Sequence, residues 1–249
     1  MKKQLIGSAF LCLSVAQAIP VNAQTRSDVI IRRCAGFRAT IVSNDAVING
    51  TEGNDVIIVL GATPHTVNAL GGNDVVCGSN GVDTIIGGTG NDRLFGMGGD
   101  DILQGDDGND IIAGRQGDDV ISGGNGNDIL FGNAGADVVT GGAGNDRVSS
   151  GDGDDRIEGG AGNDYLLAGA GRDIVMADDG NDYVNGGDDN DEIHGGNGND
   201  RLRGGNGDDT IFGDAGNDII VGGLGVDTID GGTGADVIFA SSIDVVVAD

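Results

Sequence analysis

An aliphatic residue returns at every ninth place along most of this chain, always two residues after an aspartate. The aspartate recurs nineteen times without a gap, from Asp74 to Asp236, and the aliphatic partner follows from Val76, Ile85 and Leu94 to Ile238. Glycine stands two residues before each of these aspartates, with Asp189 as the single exception. Self-similarity at a fixed period outranks local propensity as a guide to fold. Each unit has the form Gly-Gly-x-Gly-x-Asp-x-aliphatic-x, as in Gly123-Gly124-Asn125-Gly126-Asn127-Asp128-Ile129-Leu130-Phe131. Glycines at the first, second and fourth places suit a backbone that visits positive φ or approaches a neighbour closely, so the first six residues predict a turn. The last three predict a short strand whose eighth place faces inward while the seventh and ninth face out. So short a strand is unstable alone. Stacked on copies of itself it makes a parallel sheet, and the predicted fold is an all-β solenoid.

Composition sharpens this picture. Aromatic residues make up 3% of the chain and tryptophan is absent, which argues against a large globular core. The net charge is −27, carried by 37 aspartates against only three glutamates, Glu52, Glu158 and Glu192. Aspartate has the shorter arm and bends back onto its own backbone, so its near-exclusive use again indicates turns. With so few basic residues, neither nucleic acid nor an anionic membrane surface is expected as a partner.

The nonapeptide resembles the RTX, or haemolysin-type, calcium-binding repeat, and the likeness covers about four fifths of the chain beyond residue 23. The resemblance implies a right-handed parallel β-roll with two nonapeptides per coil, turns stacked along two edges and calcium ions between successive turns. It assigns metal binding to Asp74, Asp83, Asp92, Asp101, Asp110, Asp119, Asp128, Asp137, Asp146, Asp155, Asp164, Asp173, Asp182, Asp191, Asp200, Asp209, Asp218, Asp227 and Asp236. Stacking these on two edges leaves gaps for up to about 17 ions. Calcium takes oxygen ligands at flexible geometry, which glycine-opened turns and carboxylates can offer, whereas cysteine and histidine clusters for softer metals are absent. Without the ions the same composition reads as a disordered acidic chain. One apolar residue in nine cannot offset backbone ordering at roughly 1–2 kcal/mol per residue, so folding and calcium binding are expected to be one equilibrium.

The ends depart from the repeat. Residues 1–23 carry Lys2 and Lys3, an apolar run from Leu5 to Ile19, and Val21-Asn22-Ala23, the order of a secretory signal. The run falls short of the ~20 apolar residues a membrane span needs. Cleavage there would leave a chain of net charge −29 and two cysteines, Cys34 and Cys77, for which an oxidising compartment predicts a disulfide. Residues 24–40 are irregular, 41–73 keep inward Ile48, Ile57 and Val67 while losing turn residues, the array proper spans 69–239, and 240–249 read as a capping strand from Ile243 to Val247. In the degenerate part, His65 takes the aspartate place beside Pro64, and both His65 and His194 read as surface residues.

No catalytic domain is expected. The outward carboxylates Glu158, Glu192 and Asp230 lie two coils apart, roughly 10 Å or more between neighbours at the interstrand spacing of ~4.8 Å, wider than a paired mechanism uses. The leading expectation is a secreted, extracellular or periplasmic, calcium-binding protein without enzymatic activity. The alternative is an adhesin or surface-layer module that grips an extracellular glycan or protein. Its support is one sheet's outward set, which includes Arg93, Phe95, Phe131, Arg147, Tyr165, Tyr183, Arg201, Arg203 and Phe239.

Overall fold

The computed structural model describes residues 33–241 and 243–247, so the expected signal segment lies outside the described residues. The chain winds into two parallel sheets of twelve strands each, with consecutive repeats placed on opposite sheets. The first sheet runs from Ile41–Ser43 to Val237–Phe239, the second from Val47–Asn49 to Val245–Val247. Each strand pairs with the one a coil later, as Ile129 with Arg147 and Leu130 with Val148, so a coil holds two nonapeptides.

The strands exceed the expected three residues. Ile129–Ala134, Val138–Ala143 and Arg147–Asp152 each run for six, taking in the first three places of the following unit. Pairing skips the first place and resumes at the second, as in Phe131 with Ser149 followed by Asn133 with Gly151. The turn is therefore shorter than the glycine pattern suggests, because glycine here also serves close stacking between coils. Gly126, at a fourth place, has φ 135°, and an added Cβ would collide with the carbonyl oxygen of Gly108 in the preceding coil. Both the backbone angle and the stacking distance exclude a side chain.

Inward burial follows the period. Ile85, Leu94, Leu103, Ile112, Leu130 and their successors at the eighth place are 0–2% exposed through Ile229, forming two facing columns. A second apolar cluster lies outside the first sheet near the N-terminus. There a hairpin, Arg33–Cys34 paired with Phe37–Arg38, brings Cys34 onto Ile58, Leu60, Val75 and Cys77. Cys34 and Cys77 form the disulfide that the composition predicted. The loop it closes has a sequence separation of 43 residues, for which chain entropy gives roughly 4 kcal/mol.

At the C-terminus the closing strand is Val245–Val247, paired with Thr228–Asp230, and it starts two residues later than Ile243. Ser241 donates through its N–H and its hydroxyl to the Asp244 carboxylate, which ties Ser241 to Asp244 just ahead of this strand. One further expectation is corrected. His65 is 3% exposed, not a surface residue, because it opens the strand His65–Asn68 at an inward sixth place and pairs with Asp83 of the next coil.

Replacing Gly126 by Ala should destabilise the ion-loaded roll by about 2 kcal/mol, the scale of one residue forced into a disfavoured backbone region. Thermal unfolding at saturating calcium, compared with Ala143→Ser at an exposed third place, measures this.

Candidate metal centre

The aspartates of the repeat are as buried as its aliphatic residues. Along the array from Asp74 to Asp227 each is 3% exposed or less. Each carboxylate stacks on the preceding coil through one oxygen. The N–H of Asp110 donates to Asp128 Oδ1 at 2.8 Å, and that of Asp128 to Asp146 Oδ1 at 2.8 Å. The pattern continues to the N–H of Asp218 on Asp236 Oδ1. The other oxygen is different. In seventeen units Oδ2 is buried and accepts no hydrogen bond, on one edge from Asp74 and Asp92 to Asp218 and on the other from Asp101 to Asp227.

A buried acceptor without a donor is costly, and a charged one more so. The first-place glycine shows what surrounds it. A Cβ on Gly123 would land on Asp128 Oδ2 and 2.6 Å from the carbonyl oxygen of Gly141 in the next coil; on Gly195 it would lie 2.8 Å from both Asp200 Oδ2 and the Gly213 oxygen. The carboxylate thus fills the volume of a missing side chain and faces a carbonyl of the following coil. Among the described residues no three carboxylate, imidazole or thiolate side chains converge on one point. An ion held here would take carboxylate from the repeat and main-chain carbonyls, an all-oxygen set that fits calcium and not a soft metal.

Stacking shifts the acids strongly. Burial, followed by the charge of neighbouring aspartates, outweighs the backbone hydrogen bond and pushes Asp101, Asp110, Asp137, Asp164, Asp173 and Asp191 up to about 7. Asp74, Asp119, Asp128, Asp182, Asp200 and Asp209 rise to about 6 for the same leading cause.

Two of the nineteen predicted ligands stand apart. Asp236 is half-buried in the last unit of its edge, and Asp83 is fully satisfied by protein donors: His65 Nδ1 at 2.9 Å on Oδ1 and the Ser79 N–H at 2.6 Å on Oδ2. The other seventeen form the two open rows.

One feature escaped the nine-residue reading because it repeats every eighteen. On the edge preceding the first sheet, the fifth place is asparagine in nine consecutive units, from Asn73 and Asn91 to Asn217. Each side-chain oxygen accepts the fifth-place N–H one coil later, as Asn127 N–H on Asn109 Oδ1 and Asn145 N–H on Asn127 Oδ1. The opposite edge mixes Val82, Asp100, Asp118, Ala136, Asp154, Arg172, Asn190, Asp208 and Val226 at that place.

The basic and aromatic outward residues do share the first sheet, but several contact each other. Tyr165 and Tyr183 stack at 4.7 Å in a column that continues to Arg147 and Arg201, while Arg93 covers Phe37 and Arg115 covers Phe95. On the second sheet His194 stacks on Phe212 and lies 3.2 Å from Glu192, and Glu158 pairs with Arg156.

A family model described as the RTX calcium-binding nonapeptide repeat matches residues 43–59 and, in overlapping copies, 66–238. The chain belongs to this RTX repeat family. The two-nonapeptide coil is thus the β-roll of RTX repeats, and the open aspartate rows lie in its turns with an oxygen set consistent with calcium. No individual curated protein matches the chain. Among solved structures, the fold is similar to the crystal structure of a hyperactive, Ca2+-dependent, β-helical antifreeze protein from an Antarctic bacterium. That match has a TM-score of 0.56 at 23% identity and covers 85% of this chain and 81% of the other.

The raised acids of the RTX rows give a signed pH dependence. Their folded pKa lies above the ordinary 3.8, so the ion-free roll binds more protons than the unfolded chain between about 4 and 7. Stability of the ion-free form is therefore greatest below that window and is lost as pH rises through about 7. Calcium needs the ionised form, so its affinity should fall as pH drops below about 7. Circular dichroism of stripped protein should show more β-structure at pH 4.5 than at pH 8, and calcium titrations should show the midpoint rising as the medium is acidified.

Proposed function

We propose that this protein is an exported, non-enzymatic calcium-binding β-roll whose folding is gated by external calcium, with up to about 17 ions along its two edges. The observation that carries the reading is the row of seventeen buried, donor-less Oδ2 atoms. A chain with that many unpaired buried acid oxygens is poorly stable by itself and becomes stable when cations complete them. Export is supported by the basic, apolar and small-residue order of residues 1–23 and by a disulfide suited to an oxidising compartment. Calcium modules outside cells commonly bind in the 10⁻⁴–10⁻³ M range, so filling and folding would mark arrival in a calcium-rich medium.

Circular dichroism with and without calcium tests this reading. The array should lose most of its β-signal on chelation and regain it cooperatively on adding calcium. Magnesium should substitute poorly, since it demands near-octahedral geometry and gives up water reluctantly. A spectrum unchanged by chelation would overturn the proposal.

A second reading, as an extracellular interaction module for a glycan or protein, is favoured by one observation, the Arg147–Tyr165–Tyr183–Arg201 column on the first sheet. Changing Tyr165, Tyr183, Arg201 and Arg203 together to Ser or Thr should leave calcium-driven folding intact, because none is a turn or inward residue. Binding to cell surfaces or self-association should then fall. Parental behaviour of the quadruple variant would remove this reading.

A further inference from the structure

The turns of Asp55 and Asp83 are built differently from the open rows. Their second place holds Thr51 and Ser79, where the rest of the array from Asp92 onward has glycine or a residue other than serine or threonine. In open units that second residue is at positive φ, as at Gly124 (110°), Met97 (87°) and Arg115 (90°); neither Thr51 nor Ser79 is. The consequence is a turn closed onto its own carboxylate. Thr51 donates to Asp55 Oδ2 through its N–H at 2.8 Å and its hydroxyl at 2.9 Å, and the Ser79 N–H donates to Asp83 Oδ2 at 2.6 Å. The same hydroxyls accept the N–H of Gly53 at 3.2 Å and of Gly81 at 3.1 Å, which holds each turn shut. Oδ1 is also matched, on Asp55 by the Thr40 hydroxyl at 3.0 Å and on Asp83 by His65 Nδ1 at 2.9 Å.

We propose that these two units take no calcium, that protein donors replace the ion there, and that residues 33–86 form a calcium-independent seed on which the rest of the roll assembles. The proposal rests on the calcium-gated reading of the array. The donor set removes the unsatisfied acid oxygens that make the open rows ion-dependent. Other stabilising features converge on the same coils: the Cys34–Cys77 disulfide and the second apolar cluster under the hairpin, where the array beyond has only its inward columns. Asp74, lying between the closed turns, is the first open unit of its edge. A folded seed supplies paired strand edges at Val75–Cys77 and Asp83–Thr89, so each later coil adds to an existing template and escapes the cost of starting a parallel sheet from a free chain.

Hydrogen exchange read by mass spectrometry on the full disulfide-intact chain, in chelator and in calcium, tests this. In chelator, amides of 41–86 should exchange at least about tenfold more slowly than those of 92–236, and in calcium both should be protected. Ser79→Gly, which opens the turn of Asp83, should abolish the difference in chelator, and calcium should restore protection of 41–86. Uniform fast exchange in chelator with protection by calcium would overturn the seed while leaving calcium gating intact. Exchange of 92–236 that ignores calcium would instead overturn the gated reading. Protection of 41–86 in Ser79→Gly equal to the parent's would overturn the role given to the closed turn.

Discussion

Stacking identical units puts like on like, and here it puts aspartate on aspartate. Two unit charges one coil apart, about 4.8 Å, repel by about 3–4 kcal/mol at the effective dielectric found near protein surfaces. The fold meets half of this by hydrogen bonding. Apart from Asp83, whose Oδ1 meets His65, each Oδ1 accepts the N–H of the preceding aspartate at 2.7–3.1 Å along both edges, a contact that glutamate's longer arm would not make in register. The remaining oxygens have no donor, and the cost of burying them so works against the burial of the aliphatic columns. A core of one side chain per repeat is enough to set the register of the sheets but too thin to bury an uncompensated row of charge.

The same arithmetic governs which residues the repeat admits. The first-place glycine leaves room for the carboxylate, and the fourth-place glycine lets one coil rest on the carbonyl of the last. Four units carry alanine or serine at the first place, Ala69, Ser150, Ala168 and Ala177, and their side chains are buried. The fourth place is stricter: from Asp74 onward only Asp189, at φ 75°, replaces glycine there. Tolerance thus follows how hard the neighbouring coil presses on each place.

Most of the fold was legible because a solenoid writes its contacts as a period. The inward eighth place follows from spacing, the Cys34–Cys77 bridge from count and compartment chemistry, and the alternation of sheets from the resemblance to RTX repeats. What stayed hidden repeats at other lengths or only once. The asparagine column has a period of eighteen and vanishes when units are compared in nines. His65 looked like decay of the pattern, since its unit keeps Gly61 alone of the turn glycines, yet it occupies the sixth place as faithfully as any aspartate and offers a donor in place of an acid. Ser79 departs from the consensus by one residue, and its effect shows only when hydrogen bonds are traced.

The two edges also differ in how they use the fifth place, and the difference bears on charge. On both, an Asx oxygen accepts a backbone N–H from the next coil, whether it is Asn127 receiving from Asn145 or Asp118 from Ala136. The backbone uses an acceptor at that place where one is offered, whatever its charge, and Val82, Ala136, Arg172 and Val226 offer none. Asparagine meets the need without adding a carboxylate beside the sixth-place row, whereas Asp100 and Asp118 on the other edge help raise the acid of Asp119. Second-place acids offset that saving on the asparagine edge, where Asp106, Asp178 and Asp214 help raise the buried Asp110, Asp182 and Asp200. The charge each row meets is in this way set by the second and fifth places of the turn together, and the backbone geometry leaves both free to vary.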